Sequence, residues 1–352
     1  MVRVGLVAFG MAGRVFHAPL VSSVEGLELA AVVERSSDHA AARYPGIRTY
    51  RAVDQLLGEA SVDLVVVATP SGSHFEVAKQ VISAGKHVVV DKPTSVRSSE
   101  IAELIRLARE RRVQLIPFHN RRWDGDFRTI QKLLHEGLLG CLVFMQSTFD
   151  RWNPGQTRRP WKDDPGQGGG MLLDLGTHVT DQILTLFGKP RAVSGEVNRE
   201  REGDGANDAF TARLHYQGLT VELGANCLSS LARPRFHLRG TLGNYWKHGV
   251  DPQEAALNQV TRVSAEDWGK EPESAWGTLA VAADGCMMIR SLQPVPGDYR
   301  LYYAGVRDAV LGRGPAPVPA LDAWRVARIL EWVAQSSEEG RVIACDWSDE
   351  PA

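Results

Sequence analysis

Val2-Arg3-Val4-Gly5-Leu6-Val7-Ala8-Phe9-Gly10-Met11-Ala12-Gly13 decides how the first half of this chain folds. From residue 2 to residue 8 it is almost wholly apolar, and its valines favour extended backbone. A run without polar alternation suits a strand covered on both faces in a parallel sheet. Small residues follow at Gly10, Ala12 and Gly13, where the chain turns tightly into a helix. Working outward, runs of the same kind recur at 27–33, 62–68, 87–90 and 113–117. Amphipathic segments separate them, the clearest placing Ile101, Leu104, Ile105 and Ala108 on one stripe behind the start signals Ser98, Ser99 and Glu100. This alternation predicts a doubly wound α/β domain over residues 1–120.

Beyond residue 120 the rhythm changes. A helix is predicted over 126–136, then longer alternating strands over 142–151, 192–197, 208–216 and 219–227. Such alternation points to an antiparallel sheet with one polar face, so a second, α+β domain is expected over 121–352. A strong helical pattern over 171–187 interrupts it and ends at Gly188 with Pro190 beyond. The Gly- and Pro-rich stretch 154–170 reads as a long loop leading into that helix, and loops of this length are often functional.

A length of 352 residues supports two cores, and a net charge of -2 with scattered cations argues against a nucleic-acid partner. The four cysteines, Cys141, Cys227, Cys286 and Cys345, are too far apart for a zinc or disulfide framework and read as reduced thiols of a cytoplasmic protein. No leader pattern and no apolar run of membrane length is visible, so no membrane partner is expected.

Three features carry chemistry. Gly10 and Gly13 in Ala8-Phe9-Gly10-Met11-Ala12-Gly13 fit a Rossmann-type dinucleotide turn, with Ala8 where the first glycine is usual. Glu34, at the end of the second strand, favours NAD through a ribose hydroxyl, whereas Arg35, Ser36 and Ser37 beside it suit the 2′-phosphate of NADP; both cofactors stay open. Lys92, directly after the apolar run 88–90, lies at the carboxyl edge of the sheet, where it can donate to an alcohol or carbonyl oxygen; taken alone it reads as a surface lysine. Asp174, His178 and Asp181 share one face of the 171–187 helix, where His178 can take a hydroxyl proton while Asp174 bonds substrate or imidazole. An Asp and a His one turn apart could also ligate a metal, but no further ligand pair completes a shell, so no metal is expected.

These pieces resemble the glucose-fructose oxidoreductase, inositol dehydrogenase and rhizopine-catabolism family, Gfo/Idh/MocA. The resemblance runs through VGLVAFGMAG, then VVVATPSGSHFEVAKQVISAGKHVVVDKP over 65–93, then GGGMLLDLGTHVTDQILTLFG over 168–188. It implies an NAD(P)-dependent dehydrogenase that moves a hydride between the nicotinamide and a secondary alcohol of a cyclitol, sugar or related polyol. An open, mostly antiparallel C-terminal sheet would build a homodimer or homotetramer. Lys92 matches the lysine of the family's Glu-Lys-Pro motif, with Asp91 replacing the glutamate, and Asp174 and His178 match its Asp-x-x-x-His pair. Met11 and Ala12 lie in the cofactor turn, and Thr69, Pro70, Ser71 and His74 match the loop beneath the nicotinamide half.

Phe118-His119-Asn120-Arg121-Arg122-Trp123-Asp124, with Phe16-His17-Ala18-Pro19, is similar to the branch containing NADP-dependent scyllo-inositol dehydrogenases. There His119 and Asn120 are candidate substrate contacts, and Arg121 and Arg122 pin the interdomain linker. Arg151, Trp152 and Trp161 are candidates to line a polyol pocket, with simple packing an equal alternative for the tryptophans. Two rivals share the fold: a non-catalytic dinucleotide-sensing regulator and an NAD-dependent glycosidase.

Overall fold

The protein is seen in a computed structural model that describes residues 1–155, 160–260, 262–263, 267–283 and 285–352. The unbroken apolar runs form β1 (Val2–Val7), β2 (Leu27–Val33), β4 (Leu64–Val67), β5 (His87–Val90) and β6 (Leu115–Pro117). A further strand, β3 (Arg48–Tyr50), escapes the sequence reading because it is short and carries no apolar run. All six pair in parallel in the order 3-2-1-4-5-6. The order reverses between β1 and β4, so a crevice opens beyond their carboxyl ends, next to Ala8 and Ala68.

Both faces of this sheet are dry, as the sequence requires. Leu6, Val66 and Val89 pack on one face with Tyr299, Tyr302, Tyr303 and Val306, so the Arg300–Val310 helix returns from late in the chain to cover it. Val65, Val67 and Val90 pack on the other with the Ser98–Arg111 helix and with Trp324 of the Ala320–Glu339 helix. Each such buried side chain contributes about 1.5–3 kcal/mol relative to exposure.

The second sheet has nine strands: β7 (Leu142–Asp150), β8 (Ala192–Asn198), β9 (Ala209–His215), β10 (Thr220–Asn226), β11 (Phe236–Gly240), β12 (Gly243–Lys247), β13 (Gly277–Ala283), β14 (Cys286–Leu292) and β15 (Ile343–Ala344). Their order is 14-13-12-11-7-10-9-8-15, antiparallel throughout except for the β7/β10 pair. Register lines up Val193, Leu214, Val221, Met145, Leu238, Tyr245 and Leu279 as one fully buried row. One residue further along, Ser194, Arg213, Glu222, Gln146, His237, Trp246 and Thr278 form the matching row on the opposite face. The buried row shares its core with the 171–187 helical segment and the Ala320–Glu339 helix. No described helix is long and apolar enough to cross a membrane.

Candidate active site

The turn after β1 shows why its small residues matter. Ala8 adopts φ +79°, a left-handed conformation that suits the glycine it replaces. A Cβ on Gly13 would lie 2.3 Å from the Ala8 carbonyl oxygen, so helix and strand approach too closely for any side chain there. A Cβ on Gly10 would meet nothing within 4 Å, which leaves the backbone open to a ligand. The helix that follows begins with a π-turn, Gly13–His17, before Ala18–Val21.

At the tip of β2, the Glu34 carboxylate turns under its own loop, accepting from the Ser37 hydroxyl at 2.7 Å and the Ala40 backbone N–H at 2.8 Å. Arg51 clamps the same loop, donating to the carbonyls of Glu34 and Ser37 at 3.0 and 2.6 Å. Glu34 is buried, while Arg35 and Ser36 are exposed. The residues fit a dinucleotide: an open Gly10, a closely packed Gly13, and a cation with a hydroxyl beyond β2.

After β5, the Lys92–Pro93 bond is cis. His74 joins the two neighbouring loops, its ring nitrogens each 2.7 Å from a carbonyl oxygen, that of Pro93 and that of Thr69. Asp91 accepts the Lys92 backbone N–H at 2.8 Å and faces His17 at 3.9 Å, and His17 in turn meets the Tyr303 hydroxyl at 2.6 Å. The Phe16-His17 motif therefore supports the lysine loop from below.

Lys92 reaches across to the second domain. Its Nζ donates to Asp174 Oδ1 and to the Asp174 carbonyl oxygen, both at 2.6 Å. The other carboxylate oxygen is held by Lys162, at 2.9 Å, a residue the sequence reading did not single out. Glycines place Lys162: Gly170 N–H donates to the Lys162 carbonyl at 3.0 Å, and a Cβ on Gly169 would lie 2.6 Å from that same oxygen. Burial pushes the Asp174 carboxyl up, but Lys92 and Lys162 hold it well below the usual carboxylate range. Burial, with Lys92 and Arg121, holds the His178 imidazole well below its ordinary value, so it is neutral at pH 7.

Asp174 and Asp181, expected with His178 on one polar face, take separate cationic partners. Asp174 sits within the π-turn Leu172–Gly176 and faces the two lysines. Asp181 instead takes a two-pronged bond from Arg122, Nε to Oδ2 at 2.9 Å and Nη2 to Oδ1 at 2.6 Å. His178 is buried, its Nδ1 without a hydrogen-bond partner among the described residues.

One cavity is lined by Ala8, Gly10, Met11, Ala12, Thr69, Pro70, Ser71, His74, Lys92 and Asp174, with Trp161 and Lys162 as its far wall. A second shares Ser71, Trp161, Lys162 and Asp174 with it and continues to Arg151, Asn153 and Asn207. His178 lines neither of these two cavities. His119 and Asn120 are buried beyond β6; neither His119 ring nitrogen is hydrogen-bonded among the described residues, and its Nε2 lies 4.0 Å from Asp181 Oδ1. Trp152 lies outside both cavities, 61% exposed. Arg122 also reaches Asp322 at 2.9 Å, and Arg121 pairs with Asp124 and Glu254, so both arginines tie elements together. All four cysteines are free thiols, and no group of metal-ligating side chains gathers among the described residues.

A parallel sheet with a glycine turn at its switch point, and a lysine at the carboxyl edge beside that turn, fits the class of dinucleotide-binding oxidoreductases. Comparison with known proteins agrees. Residues 2–119 match the family model "Oxidoreductase family, NAD-binding Rossmann fold", and residues 127–246 match "GFO/IDH/MocA C-terminal domain". The chain is 39% identical to the uncharacterized oxidoreductase YdgJ of Escherichia coli (strain K12), covering 96% of both chains. It is 32% identical to the scyllo-inositol 2-dehydrogenase (NADP(+)) IolW of Bacillus subtilis (strain 168), covering 97% of this chain and 95% of that one. The structure of the putative oxidoreductase yvaA from Bacillus subtilis superposes with a TM-score of 0.94 at 32% identity, over 98% of this chain and 99% of that one. The chain belongs to the Gfo/Idh/MocA family of NAD(P)-binding oxidoreductases.

Proposed function

We propose that this protein is an NADP-dependent dehydrogenase acting on a secondary alcohol of a cyclitol, sugar or related polyol. When bound, the nicotinamide supplies the two-electron acceptor or donor. Lys92 would donate to the substrate oxygen and stabilise the charge that develops there, while its bonds to Asp174 fix the direction of that donation. His178, held neutral by its surroundings, would take the hydroxyl proton. Asp174 has both carboxylate oxygens committed to lysines, which makes it a positioning group for Lys92. The single observation that carries this reading is Lys92 bridging from the cofactor-side loop to Asp174, on the helical segment that also carries the buried His178.

The preference for NADP rests on Glu34, whose carboxylate is spent on Ser37 and Ala40, with Arg35 and Ser36 left free for a phosphate. IolW, whose name specifies NADP, supports both the cofactor and the alcohol class. The test is an absorbance screen of inositols and aldoses with NAD and NADP in parallel. Turnover with NADP above NAD is expected, with Lys92→Ala or His178→Ala lowering it about 10²–10⁴-fold. Cofactor binding without turnover across the panel would favour a dinucleotide sensor.

A further inference from the structure

The second cavity is lined by three carboxylates, Asp163, Asp174 and Asp208, and three cations, Arg151, Lys162 and Arg201, and two further cations, Lys92 and Arg199, reach those carboxylates from outside the lining. Asp208 is matched by Arg201 at 2.7 Å, and Asp163 by Arg199 at 2.9 Å. Asp174 is the remaining carboxylate of that lining, and two ammonium groups share it, Lys92 at 2.6 Å and Lys162 at 2.9 Å. Arg151 lines the same cavity and has no carboxylate partner among the described residues. Asp91 stands beside Lys92, so the cations Lys92, Lys162 and the exposed Arg151 exceed the carboxylates Asp91 and Asp174 by one charge, beside a partly enclosed space. Their mutual proximity is felt: burial, then Lys92 and Arg151, lower the Lys162 ammonium against the pull of Asp174.

A neutral polyol would leave this excess in place. The charge growing on its oxygen during oxidation offsets one cation, but the oxidised nicotinamide ring brings another. A carboxylate or phosphate ester on the substrate would offset it, and guanidinium suits either group because its paired N–H donors match two oxygens at once. Trp161, whose ring lies 5.6 Å from the Lys162 ammonium, borders both cavities and offers an apolar wall between the reacting carbon and the anionic end.

We propose that the substrate is an anionic polyol, its carboxylate or phosphate seated on Arg151 and Lys162 and its reacting carbinol turned to Lys92 and His178. This deepens the polyol reading and rests on it.

The experiment uses full-length protein saturated with NADP and matched probes: D-glucose, D-glucuronate and D-glucose 6-phosphate for calorimetric binding and for turnover. At least one anionic sugar should bind about ten- to a hundredfold more tightly than glucose, the size of a charge-assisted hydrogen bond. Which anion does so separates carboxylate from phosphate recognition. Arg151→Gln should bring the anionic-to-neutral ratio toward one, and Arg151→Lys should restore part of it, whereas a merely structural arginine would leave the ratio alone. Neutral polyols turned over with no anionic preference, or a ratio unmoved by Arg151→Gln, would overturn this inference and leave the polyol reading standing. Failure of every neutral and anionic polyol to bind or react would overturn both.

Discussion

Ala8 is the most instructive single residue, because the sequence marks it as a departure and the structure shows its cost. At φ +79° a β-carbon is strained by about 1 kcal/mol, so Ala8→Gly should raise stability by roughly that amount in urea unfolding. Gly13→Ala, with a Cβ 2.3 Å from the Ala8 oxygen, should lower it by about 1–3 kcal/mol. Reversed signs would mean the turn is not built as seen. His178 gives a prediction in pH. Burial, then Lys92 and Arg121, depress its pKa and Asp174 opposes them, with His119 a further neighbour of the ring. Between that depressed value and the ordinary value near 6.5, the unfolded chain binds more protons than the folded one. Stability from this group therefore falls as pH drops below about 6.5, by up to about 1.4 kcal/mol per pH unit. His178→Gln should lose that slope, so the stability difference between wild type and variant should change between pH 7.5 and 5.5. A constant difference would refute it. Lys92, Asp174 and His178 were visible in the sequence because each sits in a motif. Lys162 was not, since only the fold of the loop before Gly169 and Gly170 brings its ammonium to Asp174.

Elements were legible where burial dictates a pattern and obscure where it does not. The dry strands β2 and β5 fall at the predicted residues because water is excluded from both faces. β3 is a short edge strand with Arg48 exposed, so its sequence carries no period. Periodicity likewise gave the helical stretch to Phe187 but not its π-turn, within which Asp174 meets two lysines while Asp181, further along, pairs with Arg122. That pairing has a structural consequence. Arg122, in the Asn120–Trp123 turn, reaches Asp181 on the Thr177–Phe187 helix and Asp322 on the Ala320–Glu339 helix. Removing it leaves Asp181, 3% exposed, as an uncompensated buried charge. Arg122→Ala should cost about 3–5 kcal/mol, and Arg122→Lys should recover only part because it lacks the fork. Denaturant titration measures both. A loss below about 1 kcal/mol would show that the pair is solvated and that other contacts hold the three elements together.

At the scale of the molecule, the second sheet presents one face to the core, and on its opposite face β12 and β14 expose large side chains. Register places Trp246 and Ile289 on that outer face, the first paired with Thr278 and the second with Ala280, and they are 45% and 70% exposed. On the same face His237 stacks on Trp246, and further across the sheet Arg213 bonds Glu222 at 2.6 Å, giving a surface of aromatic and paired-charge character. Such a face can meet a second copy of itself across a twofold axis, because each charged pair offers both signs and the apolar end buries against its symmetry mate. We expect a homodimer or homotetramer built on this sheet, resolved by light scattering on an eluting peak at micromolar concentration. Trp246→Glu combined with Ile289→Lys should shift the mass to that of one chain, while far-ultraviolet dichroism stays unchanged, since both side chains leave the buried row of Tyr245 and Leu279 untouched. A wild-type protein that is monomeric throughout, or an oligomer indifferent to the double substitution, would place the association surface elsewhere.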